Sequence, residues 1–296
     1  MEPKVGIVLV NYNGEKFQND CIKTIKAMTY KNYEIIVVDN DSKDKSIELL
    51  RKEYPQVKII ETGVNFGVAK GNNIGISAAL YYECEYILLL NNDTEVEVDM
   101  LENMIKRANK KSLVTCKIYY FHKKDLIWCA GGKINWNKAT PEHFGVDEID
   151  KGQCDKSKFV EYTPTCCLLI HKDVFDEVGL MDEKYFMYYD DIDFVVRANK
   201  LGYKIWYEAS AKLWHKVNSS SGGSESKTAV YYANRNRLYF IYKFYKSKVK
   251  VLSYYYLTRV VRYIKYCFKS KELSKVLKKS VIDYKNKKMN FQSLDN

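Results

Sequence analysis

The chemistry in this sequence is concentrated in a few carboxylates and the polar residues beside them. Residues 88–93 (LLLNND) run from an apolar stretch straight into Asn91, Asn92 and Asp93. A carboxylate held at the end of a buried strand suits Mg2+ or Mn2+. These hard cations take one or two carboxylates and fill their remaining positions with substrate phosphates and water. The plain reading of the same triplet is an Asx turn or a helix cap. Residues 188–194 (YYDDIDF) form the second cluster, where helix capping is again the plain reading. Asp190 and Asp191 are adjacent, however, and two neighbours cannot serve one cap. Like charges that close raise each other's proton affinity, as a general base requires. His215, directly after Trp214, reads on its own as a structural imidazole.

The elements that must position these groups follow from hydrophobic periodicity. Continuous apolar runs at 5–10, 33–39, 57–61 and 86–90 read as buried strands, and 15–28, 43–54, 68–82 and 98–108 as helices. This alternation predicts an α/β fold with a mostly parallel sheet flanked by helices. Ligands of such sheets bind beyond the carboxyl ends of the strands. Those ends are 11–14 (NYNG), 39–42 (DNDS), 62–67 (TGVNFG) and 91–93 (NND), all rich in Asn, Asp and Gly. No G-x-G-x-x-G or P-loop pattern follows the first strand, which argues against a dinucleotide or P-loop site. Beyond about 111 the alternation loosens: 131–132 and 135–158 read as connecting loops around short strands. A strand is expected at 165–170, a helix at 172–178, the acidic cluster within 185–201, and short strands at 203–208 and 211–215. Residues 219–224 (SSSGGS) read as a flexible hinge. The expected organisation is a catalytic domain over 1–224, with a nucleotide-binding half to about 110 and an acceptor-binding half beyond it, then a basic extension over 225–296.

Composition bounds the function. With 296 residues and 46% hydrophobic content the chain can bury a sizeable core. Its eight cysteines form no C-x-x-C pair, which argues against a zinc site or disulfide framework and for reduced, cytosolic thiols. The first residues lead into a strand rather than a secretory leader, and no apolar run approaches the ~18 residues of a spanning helix. The net charge of +11 is unevenly placed, with seventeen Lys and Arg against three Asp and Glu from residue 231 onward. A slightly acidic body thus carries a basic tail.

Several stretches then resemble the family 2 glycosyltransferases, in order over about residues 4 to 240: VNYNG (10–14), VDNDSKD (38–44), NFGVAKGNNIG (65–75), LLLNNDTEV (88–96), GLMDEKYFMYYDDIDFVVRANKLGYKI (179–205) and the later His215. The rhamnosyltransferase-like branch is the nearest in look. The resemblance implies the GT-A fold, inverting transfer from a nucleoside-diphosphate sugar, and Mg2+ or Mn2+. It places Asp39 on the nucleobase, with Asn11, Tyr12, Asn13, Asn65, Lys70 and Asn73 around the nucleoside. Asn91 and Asn92 join the donor site, Asp93 is the surviving carboxylate of a D-x-D motif, and His215 joins Asp93 on the metal. Asp191 is the general base within its pair with Asp190. Asn91, standing where relatives often have Asp, implies weaker metal affinity. The implied donor is dTDP-rhamnose first and a UDP-sugar second, and the implied acceptor a glycan or lipid-linked hydroxyl in cell-surface polysaccharide synthesis. The rivals are a sugar-phosphate nucleotidyltransferase, which would carry a basic Gly-rich loop after the first strand, and a non-enzymatic binding module. Trp128, Tyr188 and Tyr189 are candidates for stacking on sugars.

The stretch 231–269 interleaves aromatic and basic residues at helical spacing. It predicts one or two amphipathic helices, either packed on the domain with a solvated basic face or lying on an anionic membrane surface, the latter making a peripheral protein at the inner face of the cell membrane. No nucleic-acid motif accompanies it, and a homodimer is compatible with this reading. Arg235 and Arg237 are candidate bidentate donors to a diphosphate.

Overall fold

The computed structural model describes residues 2–217, 223 and 225–294. The first half is the expected alternation: Val5–Asn11 (β1), Gln18–Ala27 (α1), Tyr33–Asp39 (β2), Ser46–Glu53 (α2), Lys58–Glu61 (β3), Gly67–Tyr81 (α3) and Tyr86–Asn91 (β4). β3, β2, β1 and β4 lie side by side in parallel. These strands are apolar throughout because helices cover both faces of the sheet. Val8 of β1 packs with Ala69 and Ile76 of α3, whereas Ile7 and Leu9 point the other way, onto Cys21, Ile22 and Ile25 of α1.

Beyond β4 the sheet becomes mixed. Thr94–Val96 (β5), Met100–Ile105 (α4), Ser112–Tyr120 (β6), Lys123–Cys129 (β7), Gly132–Asn135 (β8), Thr140–His143 (β9), Lys158–Val160 (β10), Cys167–His171 (β11), Asp173–Val178 (α5), Asp190–Lys200 (α6) and Lys204–His215 (β12) follow. The sheet order is β3-β2-β1-β4-β11-β6-β12-β10, with β7 on β6 and β5 on β12, while β8 and β9 pair separately. The two short strands expected at 203–208 and 211–215 are one strand, β12, with a register shift between Glu208 and Lys212. That bulged strand carries His215 to Thr94, beside Asp93. β6 escapes the apolar pattern because Lys117 lies within it; the buried ammonium is held by Asp150 and Asp155.

Lys227–Phe244 (α7), Val249–Lys269 (α8) and Lys271–Lys285 (α9) complete the chain. α7 corrects the picture of a surface tail. Its Leu238, Phe240 and Ile241 share a core with Phe194 and Val195 of α6. α8 is the amphipathic one, leaving Leu257, Val261, Ile264 and Phe268 exposed. Of the hinge expected at 219–224, all but Gly223 lies outside the described residues. Among the described residues no helix is long and apolar enough to cross a membrane.

One close approach ties the two halves together. Gly67 opens α3 at φ +80°, and a Cβ there would lie 2.1 Å from the Phe186 carbonyl oxygen, which already accepts from Val68 N–H at 2.7 Å. Gly67→Ala is expected to destabilise the fold by about 2 kcal/mol or more, read as a lower midpoint in chemical denaturation.

Candidate active site

At the carboxyl ends of β1 and β2 the polar residues form a closed network. The Asn11 amide donates towards Asp39 (2.9 Å), Ser42 and Ser46 (both 3.0 Å), and its oxygen accepts from Asn92 (2.9 Å). Asn11 is fully buried and Asn92 nearly so, and both brace the strand ends. Both were expected on the donor. The packing leaves no room for a larger neighbour: a Cβ on Gly14 would meet Asn11 Oδ1 at 2.1 Å. Asn13 sits at φ 53° and joins Ser42 and Lys43 through hydrogen bonds of 2.8 and 2.7 Å. Tyr12 stands exposed beside it. Asp39 is buried and accepts from Asn11 and from Ser42.

Three further residues expected around the nucleoside make internal contacts. Asn65 Oδ1 accepts from Gly67 N–H at 2.9 Å, at the start of α3. Asn73 exchanges hydrogen bonds with the backbone of Met181, at 3.0 and 2.9 Å, and donates to Glu183. Lys70 pairs with Glu183 at 3.6 Å and lies over Phe66. Together they seat the 181–186 segment on α3, so that the chain enters the acidic cluster from a fixed start.

The cluster faces a cavity of about 640 Å³ whose lining includes Asn91, Asp93, Trp128, Tyr162, Asp191 and His215. On one wall His215 Nε2 lies 3.0 Å from Asp93 Oδ1 and 3.5 Å from the Asn91 amide nitrogen. Trp128 meets the His215 ring edge-on at 4.8 Å, and the buried Nδ1 of His215 has no hydrogen-bond partner among the described residues. One carboxylate and one imidazole side by side fit a divalent ion that completes its shell from diphosphate and water. No group of three His, Cys, Asp or Glu positioned for a metal occurs among the described residues. The protein thus supplies a sparse ligand set, consistent with Asn91 standing where a second carboxylate would.

Elsewhere on the cavity lining the chain passes through Tyr188 and Tyr189 at φ 63° and 71° and only then becomes α6. Within the stretch expected to carry the acidic cluster, the helix starts at Asp190. Two left-handed residues in succession are costly for side chains this large. Asn236 of α7 holds them, donating to the carbonyls of Met187 (2.8 Å) and Tyr188 (2.9 Å). Tyr189, buried and bonded to the Ala139 carbonyl, and Tyr188 both line the cavity.

The acidic pair is electrostatically divided. Burial raises both carboxyls, and Asp190 is raised further by the charge of Asp191. Asp191 alone accepts from the Tyr162 hydroxyl and from the Ile192 amide at 2.7 Å, both of which favour its ionised form. The single negative charge the pair carries most readily therefore sits on Asp191.

A profile described as "Glycosyl transferase family 2" matches residues 6–179. This chain belongs to that family. Curated relatives of this family 2 chain include the low-salt glycan biosynthesis hexosyltransferase Agl10 of Haloferax volcanii, 27% identical over 79% of this chain and 74% of its own. The poly-beta-1,6-N-acetyl-D-glucosamine synthase of Staphylococcus epidermidis is 26% identical over 74% of this chain and 51% of its own. Solved structures with the same fold include GalNAc-T7 with UDP, GalNAc and Mn2+, at TM-score 0.63 and 16% identity, covering 79% of this chain and 47% of that one. S. aureus TarS 1-349 in complex with UDP superposes at TM-score 0.53 and 14% identity, covering 80% and 65%. The chain spans about half the length of the synthase and of GalNAc-T7.

Two arginines read from sequence as diphosphate donors are structural. Arg235 is fully buried and donates to the carbonyls of Lys184, Lys288 and Asn290, and Arg237 donates to that of Lys138. Sequence reasoning missed Tyr162, His143 and Asn236. His143 stacks on Tyr162 with ring centroids 5.8 Å apart, so two of the chain's four histidines line the cavity, a concentration that hinted at them. Tyr162 lies in a stretch read as connecting loop and short strand, and Asn236 in the tail whose aromatic and basic pattern points to a surface helix, so neither is marked as a site residue. Because the Tyr162 hydroxyl favours ionised Asp191, Tyr162→Phe should raise the Asp191 pKa. The acid limb of the kcat/KM–pH profile should then move to higher pH, with kcat reduced at neutral pH.

Proposed function

We propose that this chain is an inverting glycosyltransferase, moving a sugar from a nucleoside diphosphate to a hydroxyl of a glycan or lipid-linked acceptor in cell-surface polysaccharide synthesis. One observation carries the reading: the Asp93–His215 pair and the Tyr162-bound Asp191 line one cavity at the carboxyl ends of the strands. In this reading residues 1–224 form the catalytic unit, with the donor half to about 110, and residues 225–296 are an extension folded onto it. Tyr12, Asn13 and Asp39 receive the nucleoside at the ends of β1 and β2. Asp93 and His215 hold a Mg2+ or Mn2+ ion, which when bound supplies Lewis-acid stabilisation of charge on the departing diphosphate.

Asp191, ionised, accepts the proton of the acceptor hydroxyl as that oxygen attacks the anomeric carbon from the face opposite the diphosphate. The carbon–oxygen bond to the diphosphate breaks as the new one forms, so configuration inverts and no covalent enzyme intermediate is needed. Asp190, held neutral beside it, keeps the local negative charge at one. Trp128 and Tyr188 offer aromatic faces to the sugars in the cavity. A UDP-hexose is the donor supported by relatives named as a hexosyltransferase and an N-acetylglucosamine synthase and by neighbours bound to UDP. dTDP-rhamnose is the donor supported by the motif resemblance.

The extension adds a partner. The outward stripe of α8 (Leu257, Val261, Ile264, Phe268; 67, 62, 52 and 89% exposed) is flanked by Lys250, Lys265 and Lys269. That pairing of apolar and basic groups matches an anionic bilayer surface. With the cysteines free of disulfides among the described residues, the inner face of the cell membrane is the place this reading assigns.

Incubation with UDP- and dTDP-sugars, Mn2+ and an acceptor should release nucleoside diphosphate. Asp191→Asn should keep donor binding and lower kcat at least about a hundredfold; transfer at the wild-type rate would refute the assignment. Leu257→Glu with Ile264→Glu should abolish sedimentation with phosphatidylglycerol vesicles while leaving the circular dichroism spectrum unchanged. Undiminished sedimentation, or loss of a dimer instead, would refute the membrane contact.

A further inference from the structure

The described cavity is bounded on one side by the extension itself. Ala229 and Ala233 of α7 and Arg262 of α8 line it together with Asp93, Asp191 and His215. Arg262 lies outside the 6–179 match to the family profile. Its guanidinium is fixed at one corner: Nε donates to the Tyr266 hydroxyl at 2.7 Å, and the plane lies over the Tyr266 ring, 5.2 Å from its centre. Tyr266 is fully buried, so the anchor does not move with the surface. Among the described residues no ion pair joins Arg262 to a carboxylate, although three carboxylates line the same cavity. Its terminal nitrogens are left as a forked pair of donors, the geometry that matches two phosphate oxygens.

The surroundings strengthen the positive field. Arg259, one turn earlier on α8, lies over Tyr255 and donates to Asn234 Oδ1. Arg237 of α7 lies over the same Tyr255 ring. Burial and the charges of Arg237 and Arg262 all disfavour the cation on Arg259. Arg237 and Arg262 thus both lie within electrostatic reach of Arg259, and the three are held by tyrosine side chains, an amide oxygen and a carbonyl. Such a group focuses positive potential into the opening.

We infer that Arg262 completes the donor site, its guanidinium gripping the diphosphate of the nucleotide sugar and stabilising the charge that diphosphate gains as it departs, with Arg259 and Arg237 as the charge behind it. This rests on the nucleoside-diphosphate-sugar reading above. It makes the extension part of the catalytic machinery, and it places the outward, apolar face of α8 and the anion-binding face on one rigid helix.

The test is calorimetric titration of the full chain, with Mn2+ present, by nucleoside, nucleoside monophosphate and nucleoside diphosphate of the base preferred in the donor panel. Arg262→Ala should weaken the diphosphate about tenfold or more and leave the nucleoside unchanged. Arg262→Lys, which keeps the charge but loses the fork, should fall between the two and decides the matter if the alanine variant does not fold. Tyr266→Phe, which frees the guanidinium, should weaken the diphosphate by a few fold. Equal diphosphate affinity in wild type, Arg262→Ala and Arg262→Lys would overturn the role of Arg262 while leaving the donor reading intact. A wild-type chain that binds no nucleoside diphosphate would overturn the donor reading itself, and Arg262 with it.

Discussion

Asn236 makes two hydrogen bonds, to the carbonyls of Met187 and Tyr188, and the geometry of the acidic pair hangs on them. Without that amide the two left-handed tyrosines have little to hold them against a relaxed backbone. The start of α6 would then be free to shift, and with it Asp191. The donor of these bonds belongs to α7, whose apolar face is part of the main core. The catalytic end of the sheet is therefore assembled from both ends of the chain. The segment leading to the pair is seated on α3 by Asn73 and by the Gly67–Phe186 contact, and its exit is held by α7.

Charge is arranged with the same economy. Burial of two adjacent carboxyls favours the protonated form of each. The Tyr162 hydroxyl and the Ile192 amide turn only to Asp191 and select which of the two ionises. In the same cavity the Asp93–His215 pair is sparse in ligands, with Asn91 in place of a further carboxylate. Arg262 lines the same cavity. Under the proposed reading, fixed positive charge would complement a sparse metal site, because a departing diphosphate must be stabilised by something.

The parallel half of the sheet was legible because its strands are buried on both faces and its helices fill the spacing between them. Asp93, Asp191 and His215 were legible as candidates because each stands at the end of such an element or in a recognisable cluster. Less was legible after residue 111. β6 contains the buried Lys117, whose ion pairs with Asp150 and Asp155 close only in three dimensions. The bulge in β12 looked like a break between two strands. The aromatic, basic tail read as one surface element, since periodicity cannot say whether a tyrosine-rich face meets lipid, solvent or protein. Asn11, Asn65, Lys70, Asn73 and Asn92 show the complementary limit: a polar residue at a strand end looks the same whether it binds a ligand or braces the loop that does.

By itself the sequence determined the α/β alternation, the strand ends at which a site would form, and the residue types available there. These are local properties, set by burial period and by side-chain chemistry. Only the tertiary structure decided which carboxylate of the adjacent pair carries the charge, that His215 meets Asp93, and that Arg262, not Arg235 or Arg237, faces the cavity. Those are outcomes of contacts between residues far apart in the chain, where a single hydrogen bond or a half-turn of helix redirects a side chain.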